Sequence, residues 1–395
     1  MYSCSDAFHE AVQNGNEQKA LLIFSDCVFT DDDISVEDGI EFRDYFNTDE
    51  DLSIGQANSN EISFTLFNDD RVLNSYAFGD FTATLGVQTG STTYTRNETE
   101  NVRVVAGNST WIGNSTSPYL KRNGTAVANG PDWPVESLLC YDGKVYAFGD
   151  RSARYAVYNA STGASISETV NSVARNIAAK HWGGKGMYYH ENGTSGLDST
   201  ILEEWENGVK KTYEFVPLGH FTAERPNQPD QIQFSMTCYD YMCKFDVDMP
   251  PASELDGGVS YPLTFRNLLI HMCNHVGVEY ELGTFLNQNA TISEEPEDFA
   301  SATMRDVVKW IAEAAGSNAR INRDGKLILD WIRNTESQYL YYSESQYTDY
   351  SPYWYQTKRV TKLYNRDSQG GEDATIGTGD EGYLILDNPL LKGVT

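Results

Sequence analysis

Glu61-Ile62-Ser63-Phe64-Thr65-Leu66-Phe67 alternates polar and apolar residues along its length, the period-two signature of a strand with one face buried and the other toward water. The same texture surrounds it. Leu21 to Phe24 and Cys27 to Phe29 flank Ser25-Asp26, a hairpin-turn pair, and Ser75 to Val87 continues in strand-like runs broken by glycines. One short helix precedes these strands. Ser5 supplies its N-cap, Phe8, Ala11 and Val12 share a face, and Asn14-Gly15 ends it.

From about Ser91 to Lys211 the composition shifts to Asn, Ser, Thr and Gly around short β-prone runs, which reads as an inserted module. Within it Leu138 to Tyr146 has a strand, an Asp142-Gly143 turn and a second strand, and Tyr155 to Tyr158 adds another. No second copy recurs at a fixed period, so the pattern does not describe a propeller. Strand patterns resume at Thr212 to Leu218 and at Gln231 to Cys238.

Helices follow. In Thr264 to Val276, Leu268, Leu269, Met272, Cys273 and Val276 share a face and Gly277 is placed to end the helix. Thr303 and Asp306 form a capping pair ahead of Val307, Val308, Ile311 and Ala315. Ala319 to Ile321 and Lys326 to Leu329 flank the turn Asn322-Arg323-Asp324-Gly325, and Arg359 to Tyr364 and Tyr383 to Leu386 read as later strands. The expected fold class is α+β, mainly β and multidomain. An N-terminal β domain begins in 1–90 and is completed by 212–250, with the β-rich module inserted at 91–211. A small domain of two helices and a β-hairpin spans 251–335, and a C-terminal β domain at 336–395 is expected to be incomplete.

A chain of 395 residues exceeds what one growing core organises, in keeping with several domains. Its 57 acidic and 29 basic residues give a net charge of −28, a surface that repels nucleic acid and anionic membranes. No run of eighteen apolar residues predicts a membrane span, and the N-terminus lacks the basic and apolar regions of an export signal. The six cysteines are sparse, which predicts free thiols, and the seven Asn-x-Ser/Thr sequons read as polar surface turns.

Several patterns bear on chemistry. Gly377-Thr378-Gly379-Asp380-Glu381-Gly382 matches a dinucleotide fingerprint in letters, but its carboxylates would face phosphate and a strand follows it, so a hairpin turn is expected there. His271 and His275 stand i, i+4 on a helix, with Cys238, Cys243 and Cys273 as soft ligands to consider, yet nothing completes a metal set. Asn47, Asp49 and Asp51 begin like a calcium loop, but Leu52 and Asn58 occupy the positions that need Gly and a bidentate acid. No Gly-x-Ser-x-Gly elbow is present, and acid pairs such as Glu203-Glu204 and Glu294-Glu295 carry no information without their spatial separation. The expectation is a non-enzyme with no catalytic residue, cofactor or metal site. Trp111, Tyr119, Trp133, Tyr141, Tyr146, Tyr155 and Trp182 have two readings: the module's own core, or a surface for sugar rings or a partner. Trp111, Tyr119, Trp133 and Trp182 are the candidate glycan or partner contacts.

A collinear series of stretches carries a resemblance. It comprises the opening helix, Asp49 to Gln56 followed by the Glu61 to Phe67 strand, Val216-Pro217-Leu218-Gly219-His220-Phe221 and Thr237-Cys238-Tyr239-Asp240. Tyr261-Pro262-Leu263-Thr264, the helix into Ala314-Ala315-Gly316, and Ala319 to Leu327 complete it. In this order the chain resembles the phage tail-hub and baseplate-hub family, which includes myophage baseplate hubs and the N-terminal part of siphophage tail-tip proteins. The resemblance covers nearly everything except 91–211. It implies a structural, barrel-containing subunit at the virion tail tip, made in the bacterial cytoplasm, that forms a ring, commonly a homotrimer. The implied partners are distal-tail or tail-tube proteins on one side and tape-measure, tip or receptor-binding proteins on the other. Two further readings remain open: a carbohydrate- or receptor-binding module acting through 91–211, and the non-catalytic anchor of a tail-associated peptidoglycan hydrolase.

Overall fold

The computed structural model describes residues 4–24, 28–35, 39–45, 54–68, 73, 76–141, 143–149, 154–167, 185–190, 201–223, 232–330, 360–365 and 382–386. The protein is mainly β with several sheets, and no described sheet closes into a barrel. It divides into two units. The first comprises Met1–Ile40, Phe64–Gly219 and Ala223–Met236, the second Glu41–Ser63, His220–Thr222 and Thr237–Thr395.

The first unit opens with helix α1 (Asp6–Gln13), which starts where Ser5 Oγ accepts the Phe8 N–H at 3.1 Å, as its sequence predicts. Phe8 and Ala11 pack on Val87 and Val216. The main sheet passes in order through Ser165–Ile166, Arg154–Asn159, Lys144–Gly149, Ser137–Tyr141, Lys185–His190, Ile201–Glu206 and Val209–Thr222. It continues through Asp80–Thr93, Gln18–Phe24 and Val28–Thr30. Leu21↔Thr30 to Ile23↔Val28 are antiparallel partners, so the two expected hairpin arms do pair, their turn at 25–27 lying outside the described residues. One seam is parallel: Leu138↔Gly186, Leu139↔Met187 and Cys140↔Tyr188.

A second, antiparallel meander of Glu100–Ala106, Ser109–Asn114, Leu120–Arg122 and Thr125–Ala126 covers one face of this sheet. Val102, Val104, Trp111 and Leu120 pack there on Leu138, Val145, Tyr158 and Trp205. The opposite face carries Leu139, Tyr146, Phe148, Met187, Tyr189, Leu202 and Tyr213 with Leu21 and Val28. Successive strand residues therefore enter two different cores, which is why Ser137–Tyr141 and Lys144–Gly149 are buried almost without alternation. The domain boundaries read from composition, 90/91 and 211/212, fall inside Asp80–Thr93 and Val209–Thr222. Each is a single fourteen-residue strand that crosses the change in composition without a break, so most of 91–211 shares one body with residues 1–40.

The second unit takes up strand Gln233–Asp240, whose burial alternates strictly, from Thr237 onward, and adds a helical core. Helix α2 (Phe265–Val276) is capped by Thr264 Oγ1 on the Asn267 N–H at 3.1 Å and stopped by Gly277 at φ 69°. Helix α3 (Met304–Ala314) begins with a complete capping box between Thr303 and Asp306. Leu268, Leu269 and Met272 meet Val307, Val308 and Ile311 around Phe245, Phe265 and Phe299. The hairpin Asn318–Ile321 with Lys326–Asp330 turns at Gly325, φ 75°, and Glu279–Tyr280 adds a parallel strand at Lys326. Val360–Asn365 and Gly382–Leu386 are strands too, but they pair in parallel. The turn expected at Gly377 to Gly382 lies, but for Gly382, outside the described residues.

Candidate functional site

His271 and His275 share a face of α2, as their spacing requires, but they turn to a loop instead of to a common ion. Asp256 holds a left-handed conformation, φ 48°, and its Oδ2 sits 2.8 Å from His271 Nδ1 while accepting Asn274 Nδ2 at 3.0 Å. The Asp256 N–H donates to His275 Nδ1 at 3.2 Å, which leaves that imidazole's proton on Nε2. The His271 and Asn274 hydrogen bonds hold the Asp256 carboxyl below the usual carboxylate range. Cys273 is fully buried, and burial pushes the Cys238 thiol up to about 12. Among the described residues no group of three or more His, Cys, Asp or Glu is arranged to hold a metal ion. Asn47, Asp49 and Asp51 lie outside the described residues.

Glu203 and Glu204 project to opposite faces of Ile201–Glu206, so they are not a cooperating acid pair. Glu203 lies 3.0 Å from Lys210 Nζ and 3.6 Å from His190 Nε2. Burial opposes its ionisation, but the His190 and Lys210 bonds outweigh it and its pKa is lowered. Glu204 faces the core at 3% exposure, where its Oε2 is 3.4 Å from Lys19 Nζ, itself 7% exposed.

Further polar groups surround this ion pair. Lys19 Nζ is also 3.9 Å from Asp31 Oδ2 and 5.1 Å from the centre of the Tyr213 ring. The Tyr213 hydroxyl donates to Glu17 Oε1 at 3.1 Å, and Glu17 Oε2 accepts Lys211 Nζ at 2.5 Å. The Tyr189 hydroxyl is buried without a hydrogen-bond partner among the described residues, and burial beside Glu204 and Asp31 pushes its pKa up. For Lys19, burial opposes the charge, but Glu204 and Asp31 outweigh it and hold the ammonium protonated. A lysine so held cannot serve as a general base or nucleophile; it ties strand Gln18–Phe24 to strand Ile201–Glu206. Sequence reading missed it because Glu203-Glu204 gives no sign of which acid points inward.

Trp111 is wholly buried, its Nε1 donating to Ala160 O at 3.3 Å and its ring tilted on Tyr158. It has no open face for a sugar or a partner, which corrects its place among the candidate contacts. Tyr119 and Trp133 are half-buried against the same core, and Trp182 lies outside the described residues. Comparison with known proteins returned no matching family model and no matching curated sequence. Among the described residues a small set of large apolar side chains reaches solvent, Val12 and Ile201 of the first unit among them. In the first unit Phe67 and Ile232 flank a bond from Asn68 N–H to Ile232 O, with Ile232 62% exposed. In the second, Tyr239, Val247, Tyr280 and Leu286 reach solvent. Such positions are surface available for contact with another chain.

Proposed function

We propose that this chain is a structural subunit of a phage-type tail tip, a tail-hub or baseplate-hub protein that works by assembly and not by catalysis. One observation supports the reading above others: several of the stretches that carry the hub resemblance, far apart in sequence, belong to one unit, while the opening helix, residues 64–67 and 216–219 belong to the other. Residues 54–60, 220–222, 237–240, 261–264 and 314–327 all belong to the second unit. There Gly55 N–H donates to Ser317 O at 2.9 Å, Ala319 N–H to Gln56 O at 2.7 Å, and Asn60 N–H to Asp240 Oδ2 at 2.9 Å. Phe221 pairs with Asp240, and His220 packs against the Gly325 turn.

In this reading the subunit forms a ring, a homotrimer, between the distal tail or tail tube and the tip components. Its exposed apolar residues meet neighbouring chains, and the net charge of −28 keeps passing DNA from adhering. The test is the mass of the purified chain in solution, alone and with the distal-tail protein, together with electron microscopy of tail particles. Trimer-sized particles and density at the tail tip are expected. A monomer under both conditions, absent from tail particles, ends the proposal.

A further inference from the structure

The face of the main sheet that carries Leu139, Met187 and Leu202 also carries two buried polar groups with nothing to bond. Tyr189 is 1% exposed and Glu204 3% exposed, and neither the Tyr189 hydroxyl nor Glu204 Oε2 has a hydrogen-bond partner among the described residues. The pairings Met187↔Glu204 and Tyr189↔Leu202 make the two residues diagonal neighbours on one face of adjacent antiparallel strands. Such neighbours stand about 7–8 Å apart at the backbone, within reach of each other through one small molecule. Protein interiors pair nearly every buried donor and acceptor, because an unmade bond there loses hydration without replacing it.

Charge decides what fits between them. Lys19 Nζ lies 3.4 Å from Glu204 Oε2 and 3.9 Å from Asp31 Oδ2, both longer than the about 2.7–2.9 Å of a close ammonium–carboxylate hydrogen bond. Its three N–H donors are not used up by these two contacts. The Tyr213 hydroxyl is already engaged, donating to Glu17 Oε1 at 3.1 Å. A cation at this place would meet the Lys19 ammonium, and an anion would meet the Glu204 and Asp31 carboxylates. A neutral molecule that both accepts and donates suits every group. It accepts the Tyr189 O–H and a Lys19 N–H, and it donates to Glu204 Oε2. Three polar partners are the usual complement of an internal water.

We infer that Tyr189, Glu204 and Lys19 form a binding site for one internal water molecule. All three side chains are more than nine-tenths buried, and they come from three strands, Lys185–His190, Ile201–Glu206 and Gln18–Phe24. The Lys19–Glu204 ion pair by itself ties two of these strands; the water adds the third. It also gives the Tyr189 hydroxyl a purpose, since phenylalanine would fill the same apolar space among Leu139, Met187 and Leu202. The inference does not rest on the hub assignment, because it concerns the interior of the first unit alone.

The test uses the full chain and its Tyr189→Phe variant. A high-resolution crystal structure of the natural chain should show a water oxygen within about 2.7–3.2 Å of both Tyr189 Oη and Glu204 Oε2. In solution, oxygen-17 relaxation dispersion counts long-lived internal waters, and Tyr189→Phe should show one fewer. Its thermal midpoint should fall by about 2 °C or more, the shift that loss of one hydrogen bond produces in a domain of this size. A hydroxyl with no partner gives the opposite sign: removing it relieves a desolvation penalty, and the midpoint rises. A direct Tyr189–Glu204 hydrogen bond lowers the midpoint but leaves the count of internal waters unchanged. A midpoint that rises, an unchanged water count, or a crystal structure with the two side chains bonded to each other overturns the inference.

Discussion

Gly186 stands so close to the carbonyl oxygen of Arg103 that a Cβ built on the glycine would lie 1.7 Å from that oxygen. The contact sits where the parallel seam of the main sheet passes beneath the meander strand Glu100–Ala106. Backbone, not a flexible side chain, occupies the space, so neither partner can turn aside. Gly186→Ala should destabilise the protein by about 3 kcal/mol, the upper end of overpacking losses. Urea unfolding followed by tryptophan fluorescence measures this, and a loss below about 0.5 kcal/mol, the size of ordinary surface changes, would show that the two sheets do not meet there.

The Lys19–Glu204 pair makes an asymmetric prediction. Lys19→Met leaves Glu204 buried and unpaired, and about 3–5 kcal/mol of stability should be lost. The double change Lys19→Met with Glu204→Met removes both charges and should recover most of that loss, since well-packed apolar pairs substitute for buried ion pairs at little cost. Additive losses in a double-mutant cycle would show that the two residues act independently.

The capping box of α3 should be separable from the core beneath it. Thr303→Ala removes the acceptor of the Asp306 N–H, 3.2 Å away, and the donor to Asp306 Oδ2 at 2.7 Å. A loss of about 1 kcal/mol is expected, within the range measured for N-cap deletions. Thr303→Ser keeps the hydroxyl and should retain most of the stability; equal losses in both variants would assign the effect to packing of the methyl group.

Asp240 predicts a pH dependence. Burial pushes its carboxyl up to about 7, against the opposing pull of the Asn60 and Met242 N–H groups at 2.9 and 3.0 Å. The unfolded value is about 3.9. A folded pKa above the unfolded one gives stability that is full below about pH 4 and is lost as the pH rises through about 7. Urea midpoints between pH 5 and 8 should therefore decline more steeply in the natural chain than in Asp240→Asn. The slope is the readout, and parallel slopes would remove Asp240 as the cause.

Local rules are legible in the order of the residues. Ser5, Thr264 and Thr303 cap the helices that their hydroxyls announce, Gly277 stops α2 in a left-handed turn, and Gly325 closes the hairpin between Asn318–Ile321 and Lys326–Asp330. The expected Glu61–Phe67 strand is present with Ile62, Phe64 and Leu66 inward, although Thr65 is buried as well. Each of these is set by groups within a few residues of one another, so short-range sequence carries them.

From the residues alone come this inventory of strands, caps and turns, a mainly β class and an acidic surface. Packing in three dimensions settles the rest: that Leu138 runs parallel to Gly186, that Trp111 is core, and that Lys19 finds Glu204. Periodicity states which residues seek burial but not which distant strand supplies the other wall. That choice follows from how whole sheets pack on each other, and no local pattern encodes it.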